Sequence, residues 1–216
     1  MEYSKLNTIF TDAKLGKSFA YPEDLDEPHQ FLYFALSYSD ATDPEVGHFE
    51  LAMGAKHIRY DGYYLDEERK EFHLLGLIYA GDETRGGNKS FLEKEIVRLT
   101  NGIRDFLGEV FASRTSISAD HSQIGEHIQE LKGELEDGYS IVCDMYSYAA
   151  IPHDQKMTTL VVNGGLGTKQ IQVTWVDGDA LAGIISDDEH VEMRVDFERS
   201  YDCEPLTAIR VSETPD

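Results

Sequence analysis

The 216-residue chain is poor in cysteine, in long apolar runs and in basic residues, and each shortage excludes a class of protein. Its two cysteines, Cys143 and Cys203, are far apart in the sequence, so they form neither a disulfide framework nor a zinc motif. No apolar run reaches the ~18 residues of a transmembrane helix, and we expect no membrane span. The N-terminus lacks the charged start and apolar block of a signal peptide, which predicts a cytoplasmic protein.

The shortage of basic residues is the most informative of the three. Nineteen lysines and arginines stand against 41 acidic residues, which gives a formal net charge of −22. Non-specific binding to nucleic acid depends on neutralising phosphates, and no segment of the chain is enriched in Lys or Arg. We therefore expect an acidic, globular protein whose partner is another protein or its own copy, with neither free nucleic acid nor a membrane as its ligand.

The stretch Ile58–Tyr79 organises the rest of the chain, because it predicts two strands joined by a charged turn. Its first arm, Ile58–Leu65, is rich in tyrosine and aliphatic residues, which suit a pleated surface. The second arm, Phe72–Tyr79, is apolar on both alternating faces, which predicts a strand inside a sheet that is covered on both sides. One face would carry Phe72, Leu74 and Ile78, and the other Leu75, Leu77 and Tyr79.

Two helices are expected before this hairpin. The segment His29–Ser39 is apolar nearly all round, which indicates a buried helix. The segment Pro44–Ala55 predicts a short helix that carries Glu45 and Glu50.

Two more helices are expected after the hairpin, where they would cover faces of the sheet. The sequence Ser90-Phe91-Leu92-Glu93 has the form of a capping box, in which the serine side chain begins the helix and the glutamate reaches back to it. Apolar residues then recur at helical spacing as far as Val110. A second helix is expected from about Asp120, with Gly138 as its stop.

From Tyr139 onward the apolar pattern changes to a period of two, which predicts strands. The candidate strands are Tyr139–Met145, Thr159–Val162, Gln170–Val176, Val191–Phe197 and Leu206–Val211. A short helix capped by Asp179 is expected over Asp179–Ile185. The glycine-rich segment Asn163–Lys169 lacks the order of a phosphate-binding loop, so it predicts a turn.

These elements predict a mixed α/β (α+β) fold with a mixed sheet and a central hairpin flanked by helices. Residues 1–137 would form the core, with the hairpin at 58–79. Residues 138–216 would add further strands, either in the same sheet or in a closely packed β-rich subdomain.

The order of elements around the hairpin resembles a known family. An Asp-Gly pair at the end of a strand, an acidic turn, an apolar strand, a loop and a helix form the layout of restriction-endonuclease-like (PD-(D/E)XK) domains. More narrowly, the segments Tyr60–Glu68, Leu74–Tyr79 and Phe91–Leu107 resemble the N-terminal region of AIPR proteins, a family named for abortive infection and phage resistance. The resemblance implies a restriction-endonuclease-like sheet and a role in antiviral defence.

The resemblance also implies a catalytic site, from which this chain departs. It places the catalytic, metal-binding aspartate at Asp61 and expects a Gln or Glu, any residue and a Lys one strand later, where this chain has Gly76 and Ile78. The acidic or amide groups would hold Mg²⁺ and the lysine would orient water or stabilise charge. Gly76 supplies no side-chain ligand and Ile78 supplies no charge, so Asp61 alone is too few ligands for a tight site. We expect the fold without the chemistry, and no cofactor.

Two alternatives remain open at this point. Catalytic residues could have migrated to Glu50 or to the helix at Glu93, Lys94 and Glu95, which would leave an active nuclease using Mg²⁺. A metal site could have been rebuilt from His57 and His73, which flank the hairpin. Exposed helix glutamates and polar strand ends are the ordinary interpretation of these residues.

Two function hypotheses follow. In the first, the chain is a catalytically degenerate nuclease-like domain of a phage-defence protein and acts in assembly or partner recognition. In the second, it is an active metal-dependent nuclease with migrated catalytic residues. The first predicts contact surfaces, for which we name Tyr60, Tyr63 and Tyr64 as aromatic contact points and the strands Gln170–Val176 and Val191–Phe197 as edges for self-pairing.

Overall fold

The computed structural model describes residues 6, 10–11, 22, 24–80, 88–117, 122–165 and 167–188. Over this part of the chain it forms a mixed α/β fold with one six-stranded sheet and four α-helices. The helices are α1 (Glu27–Leu36), α2 (Lys89–Val110), α3 (Gln123–Glu136) and α4 (Gly178–Asp188). The strands are β1 (Glu45–Met53), β2 (Lys56–Asp66), β3 (Glu71–Ile78), β4 (Ser140–Ser147), β5 (Thr159–Gly164) and β6 (Gly167–Val176). A 3₁₀ turn lies at His153–Gln155.

The predicted hairpin lies in the interior of the sheet. The strand order is β1-β2-β3-β4-β6-β5, so β2 and β3 each have a neighbour on both sides. The pairs β1–β2, β2–β3 and β5–β6 are antiparallel, whereas β3–β4 and β4–β6 are parallel. Parallel neighbours need a crossover, and α2 and α3 supply it between β3 and β4. The prediction of a mixed sheet with a central hairpin is confirmed.

Two apolar cores cover the two faces of this sheet. The first contains the buried side chains of α2 and α3 with Phe72, Leu74 and Ile78 of β3. The second contains Leu75 and Leu77 with the buried side chains of α1 and α4. Successive strand residues point to opposite faces, so β3 is the shared wall of both cores, as its double apolar pattern predicts.

The prediction of a helix over Pro44–Ala55 is wrong, because this segment forms the strand β1. Phe49, Leu51 and Met53 follow a period of two, which is typical of a strand, although the same residues also fit a loose helical spacing. Gly54, with a φ of +63°, turns the chain so that β1 and β2 pair as a hairpin. Pairing with the free edge of β2 satisfies the backbone of this segment, which decides the conformation in favour of a strand.

Two predicted helix caps are also wrong, although the helices themselves form. The N-cap of α2 is Asn88, whose side chain accepts from the N–H of Phe91 at 3.1 Å, so Ser90 already lies in the first turn. The cap of α4 is Asp177, whose Oδ1 accepts from the N–H of Ala180 at 3.1 Å, rather than Asp179. In both cases an Asx side chain two residues upstream of the predicted cap accepts from the free N–H groups instead.

The remaining predictions divide between confirmed and untested. The helix α1 overlaps the predicted His29–Ser39 helix but begins two residues earlier, at Glu27, and ends at Leu36. Gly138 ends α3 with a φ of +90°, and Asn163–Lys169 contains the turn between β5 and β6. Asp120, Cys203 and the strands predicted at Val191–Phe197 and Leu206–Val211 lie outside the described residues. The two-part division at residue 137 stays a prediction, although β4, β5 and β6 lie in the same sheet as the hairpin.

Candidate metal centre

Asp61 is buried in β2 at an irregular point of the sheet. It is 2% exposed, and its Oδ2 accepts a hydrogen bond from the backbone N–H of Leu77 at 2.7 Å. Gly62 follows with a φ of +147°, and a Cβ there would lie 2.3 Å from the carbonyl oxygen of Glu45. The pairing register with β1 also shifts opposite Asp61. Such an irregularity re-aims a side chain, and here it directs Asp61 toward α1 and β1.

Two histidines converge on the Asp61 carboxylate. The Nε2 atom of His29, from α1, lies 3.5 Å from Asp61 Oδ1. The Nδ1 atom of His48, from β1, lies 3.7 Å from the same oxygen. Both separations exceed an ordinary hydrogen bond, and the buried His29 Nε2 has no hydrogen-bond partner among the described residues. The three donor atoms lie within 4.8 Å of one another.

Each histidine is held from behind by a second carboxylate. The Nδ1 atom of His29 contacts Asp26, which also caps α1 by accepting from the backbone N–H of His29 at 3.1 Å. The Nε2 atom of His48 lies 2.7 Å from Glu50 Oε2. Because a carboxylate accepts only, the ring nitrogens that face Asp26 and Glu50 carry protons, and the other nitrogen of each ring faces Asp61.

The carboxylates set the charge state of this cluster. Burial lowers the pKa of His29, but Asp61 and Asp26 outweigh it and the pKa is raised overall. Asp61 also raises the pKa of His48, with a further contribution from Glu50. Burial alone would raise the pKa of Asp61, yet the two histidines hold it below its ordinary value. The cluster therefore keeps an ionised carboxylate in a buried position.

A cavity of about 400 Å³ opens beside the three side chains. It is lined by Asp26, Pro28, His29, His48, Arg59, Asp61, Leu77, Tyr79 and Glu95. His48 is 45% exposed at its side chain, which gives the cluster a route to solvent. Arg59 and Glu95 form an ion pair at 3.2 Å in the wall of this cavity.

The two positions that the family resemblance singled out on β3 face away from this cavity. A Cβ on Gly76 would lie 2.8 Å from Met145 Sδ and 2.9 Å from Leu99 Cδ2, inside the core beneath α2. Ile78 is buried in the same core. The β3 residue that lines the cavity is Leu77, with Tyr79 directly after the strand. Neither side chain supplies a carboxylate, an amide or an ammonium group beside Asp61.

The candidate migrated residues are spread over three places. Glu95 lies in the cavity wall with Asp61. Glu93 and Lys94 are exposed on α2, where Glu93 accepts from Gln155 at 3.2 Å. Glu50 lies behind His48 and also binds His57 and Arg98, at 2.5 Å and 2.8 Å. These ion pairs lower the pKa of Glu50 to about 2, with His48 as the largest cause despite opposing burial.

The two histidines that the sequence suggested for a rebuilt site bind other partners. His57 is paired with Glu50, and its backbone N–H donates to Asp105 at 2.8 Å. His73 Nδ1 lies 2.6 Å from Asp144 Oδ2 on the neighbouring strand β4. His29 and His48 take the place beside Asp61 instead. The spacing of Asp26 and His29 at the start of α1 was the available signal, because an N-cap carboxylate can also bind the ring three residues later.

A second group of possible metal ligands lies at the tip of the β2–β3 hairpin. It consists of Asp66, Glu71 and His73. Asp66 already accepts from the backbone and the guanidinium of Arg69, at 2.9 Å and 3.2 Å. In this group the Asp66 carboxylate is already bound to Arg69 in the turn, whereas the three donor atoms of the Asp61 cluster face one another.

Comparison with known proteins adds no relative to this picture: no protein-family model matches the chain, and neither a curated protein nor a solved structure matches it significantly. In the part of the chain that the structure describes, no helix is both long enough and apolar enough to cross a membrane.

Proposed function

We propose that the chain is a catalytically degenerate nuclease-like domain of an antiviral, abortive-infection protein, and that it acts in assembly or partner recognition. One observation carries this proposal. The positions beside Asp61 are Leu77 and Tyr79, so the carboxylate-and-lysine pair that nuclease chemistry requires has no counterpart on the cavity side of β3. A domain that keeps the sheet without these groups is retained for its surfaces.

The topology supports the nuclease-like part of this proposal. The antiparallel hairpin β2–β3 is followed by the long helix α2, and the chain then returns on β4, parallel to β3. Asp61 lies on the first arm of the hairpin and α1 precedes it. This is the same order of elements that suggested a restriction-endonuclease-like domain from the sequence.

The surface charge supports a protein partner over a nucleic acid. A cavity of about 780 Å³ at the hairpin tip is lined by seven carboxylates and a single cation. The carboxylates belong to Asp40, Asp43, Glu45, Asp66, Glu67, Glu68 and Glu130, and the cation is Arg69. Such a surface repels phosphates and attracts Lys- or Arg-rich protein segments.

Two of the expected contact features are corrected by the structure. Tyr60 is fully buried, and Tyr63 and Tyr64 are 9% and 8% exposed, so these tyrosines pack the sheet rather than present an aromatic patch. The strand at Gln170–Val176 lies within β6, which is an interior strand that pairs with β5 over Gly167–Gln172 and with β4 over Gln172–Val176. The edges of the described sheet are β1 and β5, and any pairing between copies would use one of them.

The experiment that tests the proposal combines a cleavage assay with a measurement of association. We expect no cleavage of DNA or RNA with Mg²⁺ or Mn²⁺, no shift of duplex DNA at physiological salt, and self-association by light scattering. A strictly monomeric protein that binds DNA tightly would contradict the proposal. Asp61→Ala serves as the control, since loss of any cleavage in this variant would assign the activity to this site.

The second candidate function is an active metal-dependent nuclease, and the position of Glu95 in the same cavity wall as Asp61 favours it. In this alternative Mg²⁺ would bind Asp61, with Glu95 as another oxygen donor in the same cavity wall and Arg59 in place of the missing lysine. The ion pair between Arg59 and Glu95 would have to open for both roles. Cleavage that is lost in Asp61→Ala and in Arg59→Ala would favour this alternative.

A further inference from the structure

We infer that His29, His48 and Asp61 form a binding site for one divalent transition-metal ion of the zinc class. The inference goes beyond the proposed function, because it concerns metal binding and holds whether or not the domain cleaves a substrate. Its first basis is the donor set. Two imidazole nitrogens and one carboxylate oxygen suit Zn²⁺ and related ions, whereas Mg²⁺ and Ca²⁺ prefer sites made of oxygen atoms.

The distances fit such an ion. Donor atoms about 2.0–2.2 Å from a tetrahedral metal lie about 3.3–3.6 Å from one another. The separations from Asp61 Oδ1 are 3.5 Å to His29 Nε2 and 3.7 Å to His48 Nδ1. These atoms are too far apart for good hydrogen bonds, and the two ring nitrogens lie within 4.8 Å of each other, so all three donors lie around one point.

The orientation of the histidines is the second basis. Metal-bound histidines donate their other ring N–H to a carboxylate or carbonyl, which fixes the tautomer and the ring direction. Here Asp26 fulfils this role for His29 and Glu50 fulfils it for His48. Glu50 is itself anchored by Arg98 at 2.8 Å. The sequence thus supplies an outer carboxylate for each imidazole as well as the three inner donors.

The third basis is the buried nitrogen of His29. Its side chain is 7% exposed, and its Nε2 is the atom that points at Asp61 without a hydrogen-bond partner among the described residues. A buried polar atom without a partner destabilises the folded state. A cation between His29 and Asp61 would satisfy it.

The site would leave coordination positions open. Three protein ligands with a water or substrate in the remaining position are typical of catalytic rather than structural zinc sites. The adjoining cavity of about 400 Å³ and the 45% exposure of the His48 side chain provide the space and the entry path. A ligand of this metal would therefore reach it from the side of His48.

The inference is tested with the full chain and with Zn²⁺ and Co²⁺ salts as the probes. Calorimetry should show one Zn²⁺ per chain, and bound Co²⁺ should give the visible absorption bands of a nitrogen- and oxygen-ligated ion. Because His48 is half exposed, His48→Ala should fold normally and abolish both signals. Asp26→Asn should weaken Zn²⁺ binding by about 10–100-fold while keeping the inner donors.

His153→Ala is the matched control, because it removes an exposed histidine from the 3₁₀ turn and should leave Zn²⁺ binding unchanged. His29→Gln is a second ligand variant of similar size and should also lose binding. The inference is overturned if the wild type binds no Zn²⁺, if His48→Ala binds it as His153→Ala does, or if Mg²⁺ binds as tightly as Zn²⁺. None of these measurements depends on nuclease activity, so the proposed function can fail separately.

Discussion

Two buried histidine–carboxylate clusters are built from the same residue types yet are organised in opposite ways. In one, Asp144 on β4 accepts hydrogen bonds from His73, Tyr64 and Thr174. In the other, Asp61 on β2 accepts one hydrogen bond among the described residues, from the backbone N–H of Leu77, and faces His29 and His48 across gaps of 3.5 Å and 3.7 Å. The first carboxylate is saturated by donors, and the second is not.

The difference shows how a binding site can be distinguished from a structural network when both are buried. A carboxylate that accepts bonds from three side chains lowers the cost of its own burial and joins neighbouring strands, as Asp144 joins β2, β3, β4 and β6. A carboxylate that faces two oriented but unbonded nitrogens still has capacity for a ligand.

The largest effect is expected from restoring the missing nuclease pair at the positions that the family resemblance indicates. The double change Gly76→Glu with Ile78→Lys should unfold the protein or cost more than about 4 kcal/mol, because both side chains would enter the core beneath α2. Urea denaturation measures the loss, with Ile78→Val as a mild control. A stable double variant that cleaves DNA would show that β3 can present these positions to Asp61.

That prediction marks the limit of what the sequence could establish. The double apolar pattern of Phe72–Tyr79 was enough to place β3 inside the sheet, because only a strand covered on both sides needs two apolar faces. This pattern could not show which β3 side chains lie on the same face of the sheet as Asp61. The irregularity at Gly62 breaks the alternation of β2, so that Tyr60 and Tyr63 both enter the core beneath α2 while Asp61 turns the other way.

The partners of Asp61 could not be found from the sequence for a related reason. His29 and His48 lie 32 and 13 residues before Asp61, and no local spacing rule joins a helix, a strand and a second strand. His48 also lies in the segment that was predicted to be a helix and that forms β1 in the structure. His57 and His73 were nearer in sequence, but strand pairing directs them to Glu50 and Asp144.

The next largest effect is expected in the saturated cluster. Asp144→Asn should lower the free energy of unfolding by about 2–4 kcal/mol, because the buried donors of His73, Tyr64 and Thr174 lose a charged acceptor. It should leave Zn²⁺ binding at the Asp61 cluster unchanged. Asp154→Asn removes the same charge from an exposed side chain and should cost almost nothing. A variant at Asp144 as stable as this control would erase the contrast.

A third carboxylate, which also accepts from several donors, makes the stability of the protein depend on pH. Glu109 is 1% exposed and binds Lys56, Ser116 and Thr115. Burial would raise its pKa, but Lys56 and Ser116 outweigh this and hold the pKa at about 2. A lowered pKa in the folded state stabilises the protein above the ordinary glutamate value near 4.5, and this stabilisation is lost as the pH falls toward 2.

We expect this loss to amount to about 2–3 kcal/mol, since one pKa unit corresponds to about 1.4 kcal/mol and Lys56 is partly exposed. Urea denaturation across the acid range measures it. Glu109→Gln should be less stable at neutral pH and should flatten the decline between pH 4.5 and 2. An equally steep decline in this variant would assign the acid sensitivity to other carboxylates.

The smallest effect on stability is expected at Asp61, where the unsaturated cluster can be tested directly. Asp61→Asn keeps an oxygen that can accept from the N–H of Leu77, and it removes a buried charge whose nearest cationic partners lie at 3.5 Å and 3.7 Å. Loss of the attraction to His29 and His48 and relief of the buried charge oppose each other, so the free energy of unfolding without metal should change by about 1 kcal/mol or less.

In the presence of Zn²⁺ the wild type should gain thermal stability through binding to the folded state, and Asp61→Asn should gain none. Thermal unfolding with and without Zn²⁺ measures both quantities in one series, with Asp144→Asn as the opposite case, destabilised but still responsive to the metal. If Asp61→Asn is instead as destabilised as Asp144→Asn and still responds to Zn²⁺, then Asp61 belongs to a structural network and the two clusters are alike.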